Sequence, residues 1–335
     1  MIFPWHKDVW ARLTAPTRRA PHAYLLHGRA GTGKRQLAEA LAAWHLCEAT
    51  GVQRPCGACD ACRWLEQGGH PDLRTLEPEA SAEEGTADSE GGARVGKRPR
   101  QHITIERVRE LAGFLGVSPH RGRAKVVLVA PADALNAHAA NALLKSLEEP
   151  PPDTVFLLVS HRPRQLAATI VSRCVQVPLP MPPRSDAETW LVERGLRNPV
   201  DLLADAGGSP LLAEALADDE RLGQRQVMLR LLEDPEVIDP ARDGAALERM
   251  DLVNVVDWHQ KWCCDLLHAR MQVQVRYNPG LANQIKKLSG TIDPLALAAH
   301  WHAVAGFRRL ARHPLNPRLF CEDLLEQYRR MFFPT

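Results

Sequence analysis

Two short stretches carry residue types and spacings suited to chemistry. In HGRAGTGKR (27–35), Gly28, Gly31 and Gly33 precede Lys34 in a G-x-x-x-x-G-K pattern. Glycines in such a loop turn backbone N–H groups inward to cradle phosphate, and the lysine neutralises its charge. The next position should carry a Ser or Thr hydroxyl for magnesium; Arg35 stands there instead. Hydrolysis also needs acidic residues at the end of a second strand. VVLVAPADAL places Ala130 and Pro131 at that point. Asp133, the nearest carboxylate, falls beyond the expected strand end and reads as a cap or turn residue. The loop therefore keeps the means of holding a phosphate and lacks those for hydrolysis. Nucleotide binding stays open, and no hydrolysis is expected.

The second stretch is CEATGVQRPCGACDAC, with Cys47, Cys56, Cys59 and Cys62 in a C-x8-C-x2-C-x2-C array. Two-residue spacings let thiolates converge on one tetrahedral ion, and four of them close a structural zinc site. An iron–sulfur cluster can use the same ligands, but a zinc knuckle is the reading favoured here, with His70 outside the ligand set. Cys174, Cys263, Cys264 and Cys321 show no grouping and read as small buried residues.

The elements around these residues must position them. HAYLLHGRA is a short apolar run into the Gly-rich turn, and KRQLAEALAAWHLC continues with helical spacing through Leu37, Leu41, Trp44 and Leu46. HPDLRTLEPE reads as a strand, and 79–101 as a polar, disordered insertion running from acidic to basic. Then come a helix over 103–116, the buried strand AKVVLVAPAD, the helix AHAANALLKSLEEPP stopped by prolines, the strand DTVFLLVSH and a further strand in CVQVPLP. Alternating strands and helices predict an α/β fold, a parallel sheet with helices on both faces. Beyond PLPMPPR (178–184) only helical patterns remain. The expected division is 1–180, 181–220 and 221–335.

With 42 Lys and Arg against 40 Asp and Glu, the chain is no overall polyanion binder. It contains no run of about 18 apolar residues and no signal-peptide pattern, so a cytoplasmic location is expected. Lys145, Glu148 and Glu149 suit exposed ion pairs along one helix. Ser160 sits at a strand end as a polar residue or cap, and Trp258, Trp262 and Trp301 suit helix–helix packing.

NALLKSLEEPP followed by TVFLLVSHRPRQLAATIVSRC resembles the clamp-loader branch of the AAA+ superfamily. The knuckle between the phosphate-loop helix and the next strand narrows the resemblance to bacterial DNA polymerase III clamp loaders. It covers residues 1–215, the remainder matching in character and length. It implies an AAA+ P-loop domain, a small helical lid and an all-α C-terminal collar that assembles a ring. The departures at Arg35, Ala130 and Pro131, with Leu211 where motor subunits carry a phosphate-sensing Arg, resemble the loader's non-hydrolysing member, as does the opening FPWHKDVWARL. The resemblance gives Arg173, in Ser172-Arg173-Cys174, the role of an arginine finger on a neighbour's ATP; residues alone allow equally an ion pair within the chain. Implied partners are the motor (γ/τ) and delta subunits and, through the assembled complex, the β sliding clamp and primer–template DNA. An ATP-hydrolysing motor and a zinc-dependent DNA-binding adaptor are the competing readings.

Overall fold

The computed structural model describes residues 2–15, 21–50, 54–78, 102–121 and 123–333. The insertion expected at 79–101 lies outside them. The chain divides into two units, Met1–Pro183 and Arg184–Thr335.

In the first unit, β1 (Ala23–His27), β2 (Leu73–Leu76), β3 (Lys125–Val129), β4 (Thr154–Ser160) and β5 (Val175–Pro178) form one sheet in the order β2-β3-β4-β1-β5. Every pairing is parallel, with Leu25 opposite Leu158 and Val127 opposite Phe156. Both β3 and β4 are buried along their whole length, as expected of central strands covered on both faces. Period-two alternation sorts their side chains. Leu25, Val127, Phe156 and Leu158 pack with α4 (Ile105–Leu115), α5 (Ala137–Glu148) and α6 (Ala168–Val171). Leu26, Val126, Leu128 and Leu157 pack with Val9 of α1 (Lys7–Leu13) and with Leu37, Leu41 and Leu46 of α2 (Lys34–Leu46). The short α3 (Asp60–Glu66) follows the cysteine turn.

The second unit is helical among its described residues. It comprises α7 (Arg184–Glu193), α8 (Pro199–Asp205), α9 (Pro210–Ala215), α10 (Asp219–Glu233), α11 (Pro240–Leu247), α12 (Leu252–Arg270), α13 (Ala282–Ser289), α14 (Pro294–Leu310) and α15 (Pro317–Arg330). Trp258, Trp262, Leu324 and Tyr328 centre its core. The Trp262 indole donates to the Tyr328 hydroxyl (2.8 Å), which donates to the Leu232 carbonyl (2.7 Å). Trp301 departs from expectation: it is 40% exposed, at the margin of the α14 face whose Leu297 and Val304 are fully buried. Cys263 and Cys321 are buried as expected, whereas Cys264 is only half-buried.

Candidate functional site

The phosphate loop leaves the carboxyl end of β1, where ligands of open parallel sheets bind. Gly31 and Gly33 take positive φ, 74° and 89°, backbone that side chains rarely adopt. Gly28 is needed for space, because a Cβ there would sit 2.2 Å from the Leu179 carbonyl oxygen. Lys34 is buried and donates to the Arg29 carbonyl of its own loop. Burial pulls its ammonium down to about 8, against the pull of Asp133.

The N-terminal segment closes over this loop. Phe3 and Trp5 stack at 5.0 Å, and the Trp5 indole donates to the Thr32 carbonyl at 3.0 Å. A Cβ on Gly33 would lie 2.5 Å from the Phe3 ring. His6 is buried beside them with neither ring nitrogen hydrogen-bonded, and burial followed by the Lys34 charge lowers its pKa to about 4.

The positions that would handle a metal are otherwise engaged. Arg35 turns along and beyond its helix, its Nε 2.9 Å from Glu39 and its Nη1 2.9 Å from Glu77 after β2. Ala130 is buried at the end of β3. Asp133, expected as a cap or turn residue, sits in a one-turn helix (Ala132–Ala134) and accepts from three donors at the end of β4. These are the Ser160 hydroxyl (2.5 Å) and the peptide N–H groups of His161 (2.7 Å) and Arg162 (3.1 Å). Ser160 is fully buried in this network. Nothing in sequence spacing pointed to a contact between residues 133 and 160; adjacent strand ends create it.

Arg173 sits on the turn before β5, against the amino ends of the strands. Because β1 and β5 are parallel neighbours with Tyr24 opposite Val175, the arginine and the phosphate loop lie at opposite ends of these strands. Roughly 13 Å of strand separates those ends. Its guanidinium is about one-third exposed; Nη1 donates to the Thr169 carbonyl (2.9 Å) and reaches the Ser172 hydroxyl (3.4 Å), and Nη2 pairs with Glu148. This corrects the reading of Glu148 as a partner along its own helix: the last residue of α5 turns across to Arg173, in the turn between α6 and β5. Cys174 is buried behind the turn.

Cys47 caps the carboxyl end of α2, Cys59 precedes α3, Cys62 lies in its first turn, and Cys56 stands in a turn with Gly57 at positive φ. The four sulfurs lie within 4.8 Å of one another, with Cys56–Cys62 and Cys47–Cys59 both at 4.0 Å. Tetrahedral zinc with sulfur at about 2.3 Å asks for sulfur pairs about 3.8 Å apart. The Cys56 N–H points at the Cys47 sulfur (3.3 Å) and the Cys59 N–H at the Cys56 sulfur (3.4 Å), as thiolates require. The Ala58 and Cys59 N–H groups draw the Cys56 thiol down to about 6, whereas burial pushes Cys62 up to about 12. This group could therefore bind zinc. Outside it, Arg121 pairs with Glu48 (2.6 Å) and Asp60 (2.9 Å), tying the two arms of the knuckle together. His70 is buried apart from the four-sulfur group, its Nδ1 accepting from the Asp72 N–H.

Fold and site together define a parallel α/β protein with a P-loop-type turn after β1, in which Arg35, Ala130 and Pro131 stand where a magnesium-dependent NTPase carries a hydroxyl and an acidic pair. Comparison with known proteins narrows the class. Residues 7–183 match the family described as DNA polymerase III, delta subunit. The chain is 36% identical to DNA polymerase III subunit delta′ of Pseudomonas aeruginosa over 98% of its own length and 97% of the relative's. To the Escherichia coli subunit delta′ it is 34% identical over 96% of this chain and 94% of that one. The chain belongs to the delta-prime family of DNA polymerase III clamp-loader subunits. Its similarity to Escherichia coli subunit tau, 39% identity, is confined to 47% of this chain and 21% of that one.

Proposed function

We propose that the chain is the non-hydrolysing member of a DNA polymerase III clamp loader, organising the ring and lending Arg173 to the ATP site of a neighbouring subunit. The observation that carries this reading is the placement of Arg173. It stands at the amino end of β5, away from the chain's own phosphate loop at the carboxyl end of β1, and keeps about one-third of its side chain exposed beside its ion pair with Glu148, which supports a role on another molecule's phosphate. Arginines of this kind stabilise the charge that develops on a transferring phosphoryl group. The same chain lacks the hydroxyl and the acidic pair that its own loop would need, and its Asp133 is spent on three hydrogen bonds. Gly28, Gly31, Gly33 and Lys34 would at most hold a phosphate without splitting it.

Residues 181–220 would form the lid and 221–335 the collar that joins motor (γ/τ) and delta subunits, with the β clamp and primed DNA engaged through the assembled complex. The four cysteines would hold a structural zinc. With all four positions taken by protein, the ion's contribution is to fix the knuckle between α2 and α3, without a place for substrate. Absence of a membrane-crossing helix among the described residues fits work on DNA in solution.

The test is reconstitution with motor and delta subunits. Arg173→Ala should leave assembly intact and depress clamp- and DNA-stimulated ATP hydrolysis; an unaltered rate would remove the finger assignment. Magnesium-dependent ATP turnover by the purified chain, abolished by Lys34→Ala, would overturn the non-hydrolysing reading.

A further inference from the structure

We infer that Glu148 is a positioning residue for Arg173, fixing the orientation of the guanidinium that would meet a neighbour's phosphate. The inference rests on the finger reading above and adds a second residue to it.

An arginine on a surface turn has many rotamers, and a finger that must first be ordered loses part of its benefit. Here three acceptors hold it. The Thr169 carbonyl and the Ser172 hydroxyl engage Nη1 from the turn itself, and Glu148 engages Nη2 from a different element. Both supports are anchored. Ser172 donates to the Thr169 carbonyl (3.0 Å), the Arg173 N–H donates to the Ile170 carbonyl (3.1 Å), and Ile170 is fully buried. On the other side Leu147 is buried in the sheet core, and its carbonyl is 3.1 Å from His22 Nε2, just before β1. The carboxylate therefore stands on a base tied directly to the sheet.

The arrangement leaves part of the guanidinium free. Nε and the second Nη2 hydrogen have no partner among the described residues, and the side chain stays about one-third exposed. Without Glu148 only contacts within the turn remain, both through Nη1, and the group can pivot about them. A surface carboxylate screened by water is too weak a partner to withhold the arginine from a polyphosphate. It orients the side chain without sequestering it.

The experiment uses the loader reconstituted from this chain with motor and delta subunits, in the presence of β clamp and primed DNA. ATP turnover is measured for wild type, Glu148→Ala, Glu148→Gln, Arg173→Ala and the double alanine variant. Each complex is first checked for stoichiometry and unfolding temperature. Glu148→Ala should lower kcat roughly tenfold with KM for ATP unchanged, because orientation matters only in the transition state. Glu148→Gln, which keeps an oxygen acceptor, should lose less. The double variant should be no slower than Arg173→Ala alone. Wild-type or faster turnover in Glu148→Ala, with Arg173→Ala still impaired, overturns this inference alone and leaves the finger. Multiplying losses in the double variant do the same. Arg173→Ala at the wild-type rate overturns both. Should Glu148→Ala fail to assemble, Glu148→Gln decides by the same criteria.

Discussion

The phosphate loop and the Arg173 corner lie at opposite strand ends of one parallel sheet, and they have opposite characters. At the loop every conspicuous group is turned inward. Lys34 donates to Arg29 within the loop, the Phe3–Trp5 stack covers Gly33 and Thr32, and Arg35 is drawn aside by Glu39 and Glu77. At the corner the arginine is braced and still one-third exposed. The proposed role of Arg173 on a neighbour rests on that contrast.

The largest effect should come from breaking the exposed side. Arg173→Ala in the reconstituted loader should cost on the order of 10³-fold in stimulated kcat, whereas Lys34→Ala measured in parallel should stay within about twofold. Equal losses from both would erase the contrast. Next comes the Asp133 network at the end of β4. Asp133→Ala strands the Ser160 hydroxyl and two peptide N–H groups, and urea unfolding of the isolated chain should show about 2–3 kcal/mol of lost stability. An unchanged midpoint would mean that water serves those donors equally well.

A smaller effect concerns pH. His6 in the folded chain takes its proton only near pH 4, below the ordinary histidine value of 6.5. Between those values the unfolded chain binds more protons, so stability falls as pH drops through that window. His6→Phe should flatten the pH profile of the unfolding temperature between pH 6.5 and 4; a profile identical to wild type would show that His6 is not held neutral. The smallest change is expected for Lys34→Met. The folded ammonium titrates near 8, below its ordinary 10.5, so below pH 8 its burial opposes folding. Removing it should raise stability at pH 7 by about 1 kcal/mol, less whatever the bond to Arg29 contributes. A clear loss instead would mean that the bond to the Arg29 carbonyl outweighs the cost of burying the charge.

Much of this was legible in the residues. Strand–loop–helix order and glycine spacing specify a P-loop because few residue types tolerate its backbone, and paired C-x2-C spacings bring thiols together through local turns alone. The runs VVLV and VFLLV announce central strands because only a sheet covered on both faces buries every side chain. Long-range pairings left no such mark. Asp133 meets Ser160, and Glu148 meets Arg173, only because parallel strands and helices bring distant segments to one edge. Trp301 misled because a tryptophan in a helical pattern carries no statement about which face is covered; here it stands at the margin of the buried face and is left 40% exposed.

By itself, then, the sequence determined the phosphate-loop backbone and the cysteine cluster, and it put Arg35, Ala130 and Pro131 where a magnesium-dependent NTPase carries a hydroxyl and an acidic pair, since each depends on residue type at short spacing. Tertiary structure alone decided that Arg173 faces away from its own loop, that Glu148 braces it, and that an N-terminal aromatic pair lies over the glycines. Those relations follow from strand order and parallel register, which bring together side chains far apart in the chain, at positions no local pattern encodes.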